Sequence, residues 1–439
     1  MKKAAIKKFA FYVFLSVTVI AYFLIRLPEL KQSFLTGITS PYDFPQDYIA
    51  GRQLLAGQSL YPSHFMDLYT SLLKKNGIPA GDHLKYINAH PPFTAMLLFP
   101  LWRLSFHNAI FLWSLLTIAC AILTSFLLIK AADSSFFYVP LLFLFMTAWP
   151  PFQLNLALGQ TSILITLFVV AGWYFLKKGK EGMSGIFIAL ATMLKFYPGL
   201  LILYFLISKK YTAFLYAIAS IVIILTLTFL VTKYEFLHFF SSMIPADIGY
   251  WEAHLQNSSF NGFATKLFLS VKTSPGTGAL TASISYFDKN LFLYCTEALL
   301  VLYGAWSISR YTYTGDLGLS AFVLASLLLS PLCWNHYLTL LLLPLIILIK
   351  ELSRKNTLFE IVLFLAALFL VSIDTGSVYF QKAMEIAHAF ISGNPLDLVY
   401  RLTFYSAQFY GMLLLLFLNF RMIKQRFDYS YRRDSMGSS

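Results

Sequence analysis

Residues 107–129 read HNAIFLWSLLTIACAILTSFLLI, a stretch with no Asp, Glu, Lys or Arg. As a helix it is long enough to cross a bilayer, whose hydrocarbon core takes about 20 apolar residues. It does not alternate apolar and polar positions as a barrel strand would. Only helices and closed barrels satisfy backbone polar groups inside lipid, so this run is a membrane helix. The rest of the chain repeats the pattern. Hydrophobic residues make up 58% of 439 and charged residues 12%, with a mean hydropathy of +0.68. A soluble domain carries about 25% charged residues. A water-facing globule is therefore excluded, and the chain reads as an all-α polytopic membrane protein with the lipid bilayer as its solvent. The net charge of +13 is read as a signal of membrane orientation and not of nucleic-acid binding.

Apolar runs place about ten spans, at 9–28, 107–129, 136–150, 161–176, 213–231, 288–308, 318–333, 335–349, 357–373 and 403–420. Lys2, Lys3, Lys7 and Lys8 precede the first run, but no small-residue cleavage site follows it, so it reads as a retained span. Two further segments read as re-entrant or interfacial. Residues 92–105 open on Pro91-Pro92 and contain Pro100; residues 184–207 are interrupted by Lys195-Phe196-Tyr197-Pro198 and read as two short helices meeting there. Basic residues favour the cytoplasmic side. The clusters Lys177/Lys178/Lys180, Lys209/Lys210, Lys350/Arg354/Lys355 and Arg421/Lys424/Arg426 fall on one side if both segments return to the face they entered from. The expected map is multi-pass in the cell (inner) membrane with cytoplasmic termini. Outer loops lie at 30–91 and 232–287, with shorter outer segments at 152–160, 330–337 and 374–402. A single transmembrane domain covers 1–426, and 427–439 is a polar cytoplasmic tail expected to be irregular. Any chemistry is expected to face outside.

The first outer loop carries Asp43, Asp47 and Arg52 within ten residues. Ionisable groups near membrane depth are costly and usually functional; the bland reading is a wet loop with ordinary charges. Two Asp four apart share a helix face, but Asp-x-x-x-Asp alone is weak evidence for a metal, and none is assigned. His90-Pro91-Pro92 ends the same loop, where the prolines also suit a helix start. Asn155, Gly159 and Gln160 form a polar patch between spans, with Gln160 either a helix cap or a ligand contact. Lys195 lies deep in an apolar segment beside Pro198. Broken helices at membrane depth sit beside protein or a water-filled cavity, whereas a snorkelling lysine is the bland alternative. Ser330 to Tyr337 packs Trp334, Asn335, His336 and Tyr337 into one turn; an aromatic belt explains the Trp and Tyr but not His336. The three cysteines, Cys120, Cys295 and Cys333, lack metal-ligand spacing.

Taken in order, these stretches resemble glycosyltransferase family 87, polyprenyl-phosphate-sugar-dependent enzymes of the GT-C superfamily. The series is Asp43-Phe44 through Tyr61, then His90-Pro91-Pro92-Phe93, Gly159-Gln160, Lys195 to Pro198, and Ser330 to Tyr337. The resemblance implies a GT-C membrane fold, no cofactor and a lipid-phosphate hexose donor, usually mannose. It implies inverting transfer to a glycan or glycolipid acceptor on the outer side. The family's base is the Asp of the first outer loop, which aligns with Asp43. Asp47 stands where many members carry an aromatic residue, so both carboxylates remain candidates. The chemistry agrees: an acceptor hydroxyl needs a base in line with C1, and a departing phosphate needs cationic or hydrogen-bonding partners. Arg52, His90, Gln160, Lys195, Asn335 and His336 are the candidates for phosphate or substrate contact. Rival readings are a transporter or flippase of lipid-linked sugars, which also uses broken helices and intramembrane Lys, and an O-antigen-type polymerase or ligase.

Overall fold

The computed structural model describes residues 2–79, 88–252, 254, 256–273, 280–310, 315–353, 357–374 and 396–437. These are almost entirely helical; the one exception in regular structure is a short antiparallel ribbon, β1 (Leu269–Thr273) paired with β2 (Leu280–Ile284). Among the described residues, five helical segments are long and apolar enough to cross a membrane. One lies within Val13–Leu55; the others are Phe106–Ala131, Tyr211–Thr232, Asn335–Leu352 and Arg401–Arg426. A sixth arises if α6 (Tyr138–Ala148) and α7 (Pro150–Leu158), bent by 65° at their junction, count as one. Five further apolar helices have 10–17 residues, short of the length a perpendicular span needs. The membrane class is borne out, while the expected ten spans are not confirmed by length and composition.

The chain groups into two compact units, Met1–Lys195 with Ile218–Met243, and Phe196–Ala217 with Ile244–Ser439. In the first unit α1 (Lys2–Thr39) runs past Pro28 and ends well beyond the expected border of the first span. It packs on α6 and α7. A second layer is α5 (Phe106–Ala131), α8 (Ser162–Lys177) and α9 (Glu181–Leu194), packed in that order.

The first outer loop is not a wet loop. It folds into α2 (Phe44–Leu55) and α3 (Phe65–Lys75), followed by α4 (Pro92–Leu97) and a 3-10 turn at Phe99–Arg103. Phe44, Tyr48, Phe65, Tyr69, Trp102 and Trp113 anchor one buried apolar cluster there. Gly51 is required by this packing, because a Cβ at that position would lie 2.2 Å from the Trp102 ring.

The sequence reading also expects a short outer segment at 152–160. Most of it lies in a helix, α7. Trp149 is extended, and the Pro150-Pro151 pair sits at the helix start, where a missing N–H costs nothing. The expected break at 184–207 is present: α9 stops at Leu194, Lys195 is extended (φ −153, ψ 137), and a 3-10 turn Tyr197–Gly199 precedes α10 (Leu200–Ile207).

In the second unit α16 (Gly315–Leu328) is buried along nearly its whole length. It packs against α10, α17 (Leu342–Leu352) and the terminal helix, which runs from Ala407 to Gly437. That helix extends into the tail that was expected to be irregular. The outer segment 374–402 lies largely outside the described residues. α18 (Leu358–Val371) starts on a capping box, with the Thr357 hydroxyl on the Glu360 N–H and the Glu360 carboxylate on the Thr357 N–H. Such reciprocal caps satisfy two otherwise orphaned donors.

Candidate active site

Asp43 immediately precedes α2 and caps nothing with its side chain. Its backbone N–H donates to the Leu158 carbonyl at 2.9 Å, which ties the start of α2 to the end of α7. The next residue of that contact is Gly159, in the left-handed region at φ 71. A Cβ there would meet the Phe44 Cβ at 2.7 Å, so both the backbone and the packing require glycine. The Trp113 indole N–H donates to the Gly159 carbonyl at 2.9 Å, and the Gln160 N–H donates to the Asn155 carbonyl at 2.9 Å. Gln160 is thereby aimed at Asp43. Its Nε2 donates to Asp43 Oδ2 at 2.6 Å, and its Oε1 accepts from Lys195 Nζ at 2.9 Å. All three residues are buried, at 7%, 4% and 8% exposure. A carboxylate, an amide and an ammonium so form a row, built from α2, the α7–α8 turn and the end of α9.

Asp47, one turn further along α2, has a separate partner. Its Oδ1 lies 2.7 Å from His90 Nδ1, and both residues are buried. His90 is also clamped through its backbone. The Tyr61 hydroxyl donates to its carbonyl at 2.8 Å, and its N–H donates to Asn88 Oδ1 at 3.0 Å. Burial, Glu235 and Asp47 together push the Tyr61 phenol well above its ordinary pKa, so it stays a donor. The Tyr69 phenol, whose hydroxyl donates to the Tyr42 carbonyl, is likewise raised by burial and by Asp43.

The structure therefore places five of the expected residues, buried, in the first unit: Asp43, Gln160 and Lys195 in one hydrogen-bonded row and Asp47 with His90 in a pair. Arg52 does not join them. It is exposed, and its guanidinium donates to the Trp102 carbonyl at 3.2 Å. Its offset from Asp47 along α2 turns it away from the carboxylates.

Asn335 and His336 belong to the second unit, buried in the 3-10 helix Asn335–Leu341. The His336 ring stands edge-on to Tyr337, with centroids 4.8 Å apart. The Asn335 amide nitrogen and oxygen are buried with no hydrogen-bond partner among the described residues. The turn before them is held by Asn257, which sequence reasoning missed. Asn257 Oδ1 accepts from the Cys333 N–H at 2.9 Å, and its Nδ2 donates to the Pro331 carbonyl at 3.1 Å. Asn261 Nδ2 donates to the same carbonyl.

Lys266 was also missed. It lies in α14 (Phe260–Phe268) at 1% exposure, with Nζ donating to the Tyr405 carbonyl at 2.9 Å. Burial pushes its ammonium down to about 7. Nearby His254, packed edge-on to Trp251 and Trp334, is lowered to about 4 by burial and by the Lys266 charge. The available signal was a polar run, Asn257-Ser258-Ser259, leading into a short apolar helix.

No curated protein matches the chain. The model of glycosyltransferase family 87 matches residues 88–333, more than half of the sequence. The matched stretch contains His90, Gln160 and Lys195 and ends just before Asn335 and His336. Asp43 and Asp47 lie ahead of it, but each is hydrogen-bonded to a residue inside it. With its membrane-length apolar helices and this match, the chain belongs to glycosyltransferase family 87, a family of GT-C-like membrane glycosyltransferases.

Proposed function

We propose that the protein moves a hexose, mannose by the family resemblance, from a polyprenyl-phosphate donor to a hydroxyl of a glycan or glycolipid acceptor. Transfer takes place at the outer face of the cell membrane, with both termini cytoplasmic and a GT-C-type fold around the site. The acceptor oxygen attacks C1 of the hexose from the face opposite the phosphate. The C1–O bond to phosphate breaks, polyprenyl phosphate leaves with the electron pair, and the anomeric configuration inverts. The acceptor proton passes to Asp43 as general base. The observation that carries this reading is a buried carboxylate, Asp43, held at 2.6 Å by Gln160 from the family-matched stretch. A positioned base contributes about 10²–10⁴-fold. Substrate contact beside the base falls to His90, held by Asp47 in the same unit, and no metal or cofactor enters the scheme.

The Asp47–His90 pair supports a second reading of the base, since a carboxylate-oriented imidazole is a common proton acceptor. One experiment tests both. Purified protein is given radiolabelled polyprenyl-phosphate mannose and cell lipid extract, and the labelled product is identified. Asp43→Asn is expected to lower turnover by about 10²-fold or more, and Asp47→Asn by less. The reverse ranking would move the role to the Asp47–His90 pair. No glycosylated product from the wild type, in liposomes without a gradient, would favour the transporter reading.

A further inference from the structure

The Asp43–Gln160–Lys195 row fixes more than a contact. A carboxylate only accepts hydrogen bonds and an ammonium only donates them. The amide atom facing Asp43 must therefore be nitrogen, and the one facing Lys195 must be oxygen. The orientation of the Gln160 amide is thus set by its two neighbours. Its dipole runs with the field between the two charges, and hydrogen bonds in such a row polarise and strengthen one another in a low-dielectric interior. The backbone around Gln160 adds rigidity through the Asn155 and Gly159 hydrogen bonds. Lys195 sits at the extended residue where α9 ends, with its Nζ turned to the amide at 2.9 Å.

We propose that Gln160 and Lys195 are positioning residues for the base, a relay that pins the Asp43 carboxylate and balances its charge, and not ligands of the donor phosphate. This rests on the reading of Asp43 as the base. It follows from geometry: the row connects the ammonium to the carboxylate through one rigid planar group. The ammonium's charge is then matched within the row before any donor binds. The acceptor proton still goes to Asp43; the relay sets the rotation of the carboxylate that receives it and keeps that carboxylate ionised in a buried place, where an unpaired charge is costly.

The test is a kinetic split on the full-length protein in lipid nanodiscs, with polyprenyl-phosphate mannose as donor. Gln160→Met and Lys195→Met are expected to lower kcat by about tenfold or more while leaving the donor KM within about twofold. Lys195→Arg should recover part of the loss. Because the two act in series, the double variant should be little worse than Gln160→Met alone, and neither change should matter further in an Asp43→Asn background. Binding of polyprenyl phosphate itself, followed by thermal shift, should be unchanged in Lys195→Met.

A large rise in donor KM with kcat preserved, or weakened polyprenyl-phosphate binding by folded Lys195→Met, would return Lys195 to the phosphate and overturn the relay. So would additive losses in the double variant. A variant that fails to fold is replaced by Lys195→Gln or Gln160→Leu, read by the same split. A wild type that transfers no hexose sinks the transferase reading together with the base the relay serves. Normal wild-type transfer combined with any of the other outcomes overturns the relay alone.

Discussion

Asp43 and Asp47 were legible as a pair from their spacing, because residues four apart share a helix face. Which partner each takes was not. Asp43 meets Gln160 across 117 residues and Asp47 meets His90 across 43, and no local pattern encodes such pairings. Arg52 shows the converse: proximity in sequence suggested membership, yet five positions along the helix it faces outward. Lys266 was overlooked because a single lysine in a loop-like stretch looks solvated, whereas in the fold it is buried with its ammonium donating to the Tyr405 backbone carbonyl. Its depressed pKa has a defined consequence. In the unfolded chain a lysine titrates near ~10.4, and in the fold near about 7. Below pH 7 the ammonium is charged in both states and the cost of burying it is full. As pH rises from about 7 towards ~10 the folded state sheds the proton first, so stability increases. The Tm of the wild type, measured relative to Lys266→Met, is therefore expected to rise between pH 6.5 and 9. A flat difference would mean that Lys266 is not buried as described.

Elements were predicted best where apolar runs are long and punctuated. The span at 107–129 became Phe106–Ala131, and the Lys195–Pro198 break appeared where proline and lysine interrupt the run. Short polar-flanked pieces fared worse. α7 falls where the apolar runs left only a short outer segment with a polar patch, yet a proline pair starts it and Gly159 ends it. A wet loop was the bland reading of the first outer loop, yet α2 and α3 pack an aromatic core that the α-helical periodicity of so short a stretch did not reveal. Joining of elements is also where Asn257 acts, since its side chain bridges the entry to α14 and the turn at Pro331–Cys333. Asn257→Ala removes these bonds; the Pro331 carbonyl keeps the Asn261 amide, but the buried Cys333 N–H loses its acceptor, at a cost of about 1–3 kcal/mol. A Tm loss of several degrees in detergent is expected, with transfer activity falling alongside it. An unchanged Tm would show that the turn holds without its bridge.

At the scale of the whole molecule, orientation rests on the distribution of Lys and Arg. Ser63 and Ser241 are exposed positions in the two long segments assigned to the outside, and Lys178 is an exposed position assigned to the inside. In a background with Cys120, Cys295 and Cys333 replaced, Ser63→Cys and Ser241→Cys are expected to react with an impermeant maleimide in intact cells. Lys178→Cys should react only after permeabilisation. The opposite pattern would invert the topology and place the carboxylates on the cytoplasmic side.

The membrane class and the family were determined by the sequence alone. Whether a segment can enter lipid depends on the length and polarity of that segment, a one-dimensional property, and the motif series from Asp43 to Tyr337 survives as an order of residues. The tertiary structure alone decided that Gln160 stands between Asp43 and Lys195, that His90 belongs to Asp47, that Arg52 is excluded and that Lys266 is buried. Those outcomes depend on tertiary packing, of α2, α4, α7 and α9 for the first three and of α14 for Lys266. Side-chain hydrogen bonds reach only about 3 Å, so a small change in that packing would reassign every partner without altering a single apolar run.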